Sequence, residues 1–380
     1  MRVLHTADLH IGKTIEGWDL TEDTINVLDQ VCAIAEEEKV QAVLLSGDIF
    51  DRSVPSEQAL KVYANFLVRL CLKDGIKVLA VAGNHDSGIR LASNSELIEA
   101  SGMYYVAGEV RPEIKKVVLT DEHGPVNFYL LPFFTPAEVR SILQVDPGSG
   151  AYTDDRALGD LLARQTVDTA ERNVILAHLF AAGYSRSGSE SFSVAAVAGV
   201  ESVGIDRFDQ FDYVALGHIH RPQSLKRETL RYAGSLLKYK ISECNGPERS
   251  VSIVDLGPKG EVQVHTRPIV PLRPLIELTG SYQDLCQRPM DDRSFVFVHL
   301  TDAEYVPNAR GGLATHFSRI VSIDYPNIQI HAASSRPNID NLTPGDLIRG
   351  FYQEQTHSEL SEEQGAEIDA ILAEIEKEVR

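Results

Sequence analysis

Residues 2–10 read RVLHTADLH: an apolar run, Val3–Ala7, that stops on an aspartate and a histidine two positions apart. Residues two apart in extended chain point the same way, so Asp8 and His10 can face one site. The same construction returns four times. VLLSGDIF (43–50) leads to Asp48, and VLAVAGNHD (78–86) to Asn84, His85 and Asp86. NVILAH (173–178) ends on His178, and YVALGHIH (213–220) on His218 and His220. Helical patterns at Thr21–Lys39 and Ser56–Asp74 separate the first three runs. That βαβαβ rhythm predicts a mostly parallel sheet with covering helices. In such sheets ligands gather at the carboxyl ends of the strands, where these residues fall.

Asp8, His10, Asp48, Asn84, His178, His218 and His220 are too many groups for one ion with an open position. Shared through a bridging carboxylate, they suit two divalent ions about 3.5–4 Å apart. Asp48 is the expected bridge, because a carboxylate has two oxygens to share. Oxygen and imidazole ligands without thiolate favour manganese or iron over structural zinc. Such a pair polarises a phosphoryl group and activates water. Taken alone, a histidine ending an apolar strand is more often a core residue, and Asp-x-His is common. The ordered combination carries the reading. His5 lies inside its strand and reads as core. His123, His265, His299, His316, His331 and His357 read as structural or surface residues.

The chain has 380 residues, 43% hydrophobic and 24% charged, which excludes wholesale disorder and sets a prior of two to three domains. No apolar run approaches the roughly 18 residues of a membrane span. Four scattered cysteines argue against a disulfide framework and suit a reducing cytosol. The net charge of −19 argues against a generic basic nucleic-acid binder. Nine of the acids lie in residues 351–380 against Lys377 and Arg380 alone. Further strands are expected at Lys115–Thr120 and Val126–Leu131 as a hairpin, then at Val174–Ala177, Tyr213–Leu216, Arg231–Ala233, Val251–Asp255 and Val262–Thr266. A helix is expected over Asp154–Glu171. The late strands suggest a second sheet packed on the first. Prolines 268, 271 and 274 predict an extended linker and a domain boundary. Beyond it, residues 275–332 read as a small α/β unit, with strands at Leu275–Leu278, Phe295–Leu300, Ile320–Asp324 and Ile328–His331. Leu347–Glu354 and Glu362–Val379 read as two terminal helices.

The order D-x-H, GD, GNHD, H, GHxH resembles the calcineurin-like metallophosphoesterases. MRVLHTADLHIGK, LLSGDIFDRSVPS, VLAVAGNHDS, YVALGHIHRPQ and YAGSLLKYKISE look closest to the bacterial branch of double-strand-break repair nucleases, the SbcD family. The likeness covers essentially the whole chain. It implies a four-layer α/β/β/α sandwich over residues 1–270, a small α/β capping domain over 271–340, and a C-terminal helix-loop-helix over 341–380. It implies one ion held by Asp8, His10, Asp48 and His220, and another by Asp48, Asn84, His178 and His218. His85 matches the family's catalytic histidine, which is not a ligand, and Asp86 is expected to orient its imidazole or to form the turn. Asp51 departs from the archaeal and eukaryotic relatives, which carry histidine there.

The implied activity is manganese-dependent hydrolysis of DNA phosphodiesters, 3′-to-5′ on double strands and endonucleolytic on single strands and hairpins. The implied partners are DNA, a second copy of the chain and a coiled-coil SbcC-type ATPase, in a cytoplasmic, nucleoid-associated heterotetramer. Lys13, Arg52, Arg90, Arg186 and Arg221 stand close to the motifs as candidate phosphate contacts. Leu60, Tyr63, Phe66, Leu67, Leu70 and Cys71 are the candidate dimer stripe. The rival reading is a metallophosphatase or cyclic-nucleotide phosphodiesterase acting on a small substrate. The extra chain after Pro274 argues against it.

Overall fold

The computed structural model describes residues 1–328 except 147, 149 and 186–201, and beyond 328 only positions 349, 350, 352, 361, 364, 365 and 368. Arg186, the strand expected at Ile328–His331 beyond its first residue, and nearly all of both terminal helices lie outside the described residues. Met1–Asn327 forms one compact unit and Ile328–Arg380 a second. Among the described residues no helix is long and apolar enough to cross a membrane.

In chain order the principal strands are β1 (Arg2–Thr6), β2 (Ala42–Ser46), β3 (Lys77–Val81), β4 (Tyr104–Ala107), β5 (Lys115–Asp121) and β6 (Gly124–Leu131). There follow β7 (Arg172–His178), β8 (Tyr213–Gly217), β9 (Gln223–Ser224), β10 (Leu230–Tyr232), β11 (Ser250–Leu256) and β12 (Val262–Pro268). A smaller group comprises β13 (Leu275–Gly280), β14 (Asp291–Leu300) and β15 (Phe317–Asp324). The main helices are α1 (Thr21–Glu37), α2 (Glu57–Leu67), α3 (Pro136–Ile142) and α4 (Asp154–Leu162).

Two six-stranded sheets result, ordered β12-β11-β1-β2-β3-β4 and β9-β10-β8-β7-β6-β5. β1, β2, β3 and β4 run parallel, as do β6, β7, β8 and β10. The inner faces of both sheets, with Leu44, Leu79, Phe128, Leu176 and Ala215, make a dry layer between them. α1 and α2 cover the outer face of the first sheet through Val31, Cys32, Tyr63 and Phe66. α3 and α4 cover the second through Val139, Leu158 and Leu161. The order is helix, sheet, sheet, helix. Strands buried on both faces need unbroken apolar runs, which is how β2 and β3 read.

Four expectations shift. β11 and β12 return to the first sheet, antiparallel beside β1, instead of extending the second. α4 stops at Leu162, because its last turn tightens onto Leu161 and Leu162 carbonyls and the Asp168 side chain caps the amide of Ala170. α2 continues as a widened π turn over Val68–Lys73. The proline segment is extended, yet Pro268 still pairs with Ser250 and Ile269 is buried in the core under the first sheet. The small sheet, β13-β14-β15, is parallel. Leu285, Val298 and Leu313 pack on one side of it. Leu275, Phe295, Phe297 and Val321 on its other side join the core beneath α1.

Candidate metal centre

The loops after β1 and β2 are zipped together before any side chain is considered. Asp8, His10 and Ile11 donate their amides to the carbonyls of Gly47, Asp48 and Ile49, each at 3.0 Å. The loops after β3 and β8 are tied in by Asp48 and Asp8 themselves. Asp48 Oδ1 accepts the His85 amide at 3.0 Å, and Asp8 Oδ1 accepts the His218 amide at 2.9 Å. Asp8, His10, Asp48 and His218 all adopt positive φ, at 54°, 43°, 51° and 96°. Non-glycine residues rarely rest there, and such strain concentrates where side chains must converge. Gly83 permits one close approach: a Cβ there would sit 2.1 Å from Asp48 Oδ1.

Six ligand-type side chains meet around a seventh, Asp48. The nearest ligand atoms of Asp8, His10 and His220 lie within 4.8 Å of one another, as do those of Asp48, His178 and His218. Asp48 Oδ2 stands between the two groups, 3.7 Å from His10 Nε2 and 3.4 Å from His178 Nε2. His10 Nε2 and His220 Nε2 face each other at 3.0 Å, and His178 Nε2 and His218 Nδ1 at 3.1 Å. Asn84 Oδ1 lies 3.0 Å from His178 Nε2. All but Asn84 are buried.

The donor set fits divalent cations. One proton at most can lie between two facing imidazole nitrogens, and Asp8 Oδ2 is buried without a hydrogen-bond partner among the described residues. Electrostatics carry the same imprint. Burial pushes the Asp8 carboxyl up to about 6 and the His10 imidazole down to about 4. Burial and the neighbouring His178 push His218 well down. Burial alone would raise Asp48, yet His178, His10 and His85 hold it well below the usual carboxylate range.

Outer groups orient the ring nitrogens, as is usual around metal-binding histidines. His178 Nδ1 donates to the Ser46 carbonyl at 2.8 Å. His10 Nδ1 lies 3.5 Å from Asp51 Oδ1, and His220 Nδ1 lies 3.5 Å from Glu243 Oε1. Tyr239 packs its ring against both His10 and His220. Phe133 and Phe180 flank His218.

His85 is half-buried, with its ring edge-on to His10 at 4.8 Å. Its Nδ1 donates to the Asp51 carbonyl at 2.9 Å, which leaves Nε2 as the free face of the ring. The expectation that Asp86 orients this imidazole is corrected here. The Asp86 carboxylate accepts three backbone amides, from Ile49, Phe50 and Gly83 at 3.0, 2.8 and 2.9 Å. It fastens the loop after β3 to the loop after β2, the turn-forming alternative. Sequence reading missed Glu243, Arg249 and Tyr239, because none of them ends an apolar run and their burial is set by tertiary packing. The signal was that Tyr239 and Glu243 fall within the stretch YAGSLLKYKISE. Of the candidate rim cations, Lys13 is paired with Asp51 at 2.5 Å and lies over the Tyr239 ring. Arg90 donates to the Ser53 carbonyl, while Arg52 and Arg221 are exposed.

A family model described as calcineurin-like phosphoesterase matches residues 1–222. The chain belongs to that family. Calcineurin-like phosphoesterases use divalent metals, and this chain brings together groups able to hold them. A second family model, described as the type 5 capsule protein repressor C-terminal domain, matches residues 271–356. The phosphoesterase is similar to the SbcD subunit of nuclease SbcCD from Staphylococcus epidermidis, 28% identical over 98% of each chain. It is likewise similar to the protein of that name from Staphylococcus saprophyticus, 29% identical over 98% of each chain. Among solved structures, a dimetal phosphatase from Danio rerio aligns over 71% of this chain and 97% of its own, with 16% identity and a TM-score of 0.44.

Proposed function

We propose that this phosphoesterase is a manganese-dependent DNA nuclease, the nuclease subunit of an SbcCD-type complex. The observation that carries the reading is the convergence of two ligand groups on one buried carboxylate, Asp48, in a chain similar over 98% of its length to nuclease subunits. Asp8, His10, Asp48 and His220 would hold one ion; Asp48, Asn84, His178 and His218 would hold the other. Divalent cations held there would supply Lewis-acid polarisation of a phosphodiester and activation of water. The protein side has three tasks. Asp51 and Ser46 carbonyls and the Asp51 and Glu243 carboxylates keep the imidazoles turned inward. His85 presents Nε2 to the phosphoryl or leaving oxygen. Arg52 and Arg221 stand exposed near the site to meet backbone phosphates.

Residues 1–270 form the nuclease domain and 271–340 a capping domain, in this reading. Residues 341–380, nearly all outside the described residues, are the segment assigned to docking the coiled coil of an SbcC-type ATPase. Two copies of the chain and two of the ATPase make a cytoplasmic, nucleoid-associated heterotetramer. Digestion of an end-labelled DNA hairpin with Mn²⁺ or Mg²⁺, with and without the ATPase and ATP, tests the reading. Cleavage of the hairpin with Mn²⁺ supports it. Turnover of p-nitrophenyl phosphate compounds with the hairpin left intact would return the rival small-substrate enzyme.

A further inference from the structure

Glu243 and Arg249 form an ion pair at 2.7 Å that is 2% and 5% exposed. Burying such a pair costs desolvation that its attraction barely offsets, and apolar residues of similar volume hold a fold as well. Its contacts converge on His220. Glu243 Oε1 lies 3.5 Å from His220 Nδ1. Glu243 Oε2 accepts from Arg249 Nη2 at 2.7 Å and from the Tyr239 amide at 2.8 Å. Arg249 Nη1 donates to the His220 carbonyl at 2.5 Å. The pair therefore grips His220 at both ends, its ring through the carboxylate and its backbone through the guanidinium. The gripped ring turns Nε2 toward His10 Nε2, 3.0 Å away.

We infer that Glu243 and Arg249 are positioning residues that clamp His220 for the first metal ion, an inference that rests on the two-ion reading above. With Oε2 committed to Arg249 and Tyr239, Oε1 is the acceptor for a His220 Nδ1–H. That proton on Nδ1 leaves Nε2 as the ligand atom. A glutamine at 243 has one oxygen for these two duties. It must either release Arg249 or turn its amide N–H toward His220 Nδ1, which opposes the required tautomer.

The test is calorimetric titration of the ion-free full-length protein with Mn²⁺, alongside the ¹⁵N shift of the His220 ring. Wild type takes up two ions. Glu243→Gln weakens one of the two binding events by about tenfold to a hundredfold, the usual cost of losing an outer-shell partner, and leaves the other in place. The His220 ¹⁵N pattern changes with it. Where Glu243→Gln does not fold, the paired change Glu243→Leu with Arg249→Met removes both charges, keeps volume and gives the same comparison. A folded variant with both events and the His220 shift unchanged overturns the clamp while the two-ion reading stands. Fewer than two ions on wild type overturns the two-ion reading, and the clamp with it.

Discussion

His85 and Asp48 divide chemistry from assembly at the scale of single residues. His85 touches the site through an imidazole held on the Asp51 carbonyl, and it is not among the groups that meet at Asp48 Oδ2. His85→Ala should therefore retain two ions and lose about 10²- to 10⁴-fold in cleavage rate, the usual contribution of a general acid–base group. Asp48→Ala should lose metal as well. Metal content and single-turnover rates, measured on the same samples, check both; normal cleavage by His85→Ala would remove its role. Asp86 belongs to a third category. Its carboxylate closes three amides in a buried corner, so Asp86→Asn, with one oxygen, should destabilise the ion-free protein by about 1–3 kcal/mol, the penalty of an unsatisfied buried group. Denaturant unfolding measures it. The ligand types were legible in the sequence because each ends an apolar run. The partner of His85 was not, since a backbone carbonyl leaves no trace in residue identity, and neither was Glu243, whose burial is set by tertiary packing.

The parallel strands were equally legible as elements: β2 and β3 are unbroken apolar runs, and only fully covered strands tolerate them. Sheet membership was hidden, since β11 reads the same whether it pairs with β1 or lies in the opposite layer. The edge strand β4 escaped notice because four residues carry little pattern. One polar contact between the layers has a measurable signature. His5 of β1 meets Tyr213 of β8 across the dry interior, Nδ1 to hydroxyl at 2.9 Å. Burial, aided by Arg231, pushes its imidazole down to about 3. The folded state thus prefers neutral His5. Its contribution is fully present above the unfolded value of about 6.5 and is lost as pH falls from there toward about 3. Between pH 7 and pH 5 the ion-free wild type should lose about 2 kcal/mol more stability than His5→Gln, from roughly 1.4 kcal/mol per pH unit. Equal losses in urea unfolding at the two pH values would show that His5 is not the buried neutral group described.

The stripe on α2 divides in two when the whole molecule is considered. Tyr63, Phe66, Leu70 and Cys71 turn into the core, while Leu60, Val68 and Leu72 remain exposed, Leu72 by 75%. The short helix Ser95–Glu99 adds Leu97, exposed by 79%, and Ile98. The two elements are neighbours through β4: Tyr63 and Tyr104 share a hydroxyl hydrogen bond at 3.1 Å, and Cys71 Sγ donates to the Met103 carbonyl. A stripe too wide for one buried face is what a helix shows when it serves a core on one side and a second surface on the other. In the proposed homodimer these exposed leucines, on helices that both border β4, are the candidate contact, and a two-fold arrangement, in which each patch meets its own copy, is the commonest closed solution. Leu72→Asp combined with Leu97→Asp should then halve the mass measured by light scattering at micromolar concentration. Because both side chains are exposed in the single chain, the unfolding midpoint of the separated protomer should stay within the small range of surface substitutions, about 0.5 kcal/mol. A wild-type mass equal to one chain would refute the dimer. A variant that still weighs two chains would move its interface away from this face.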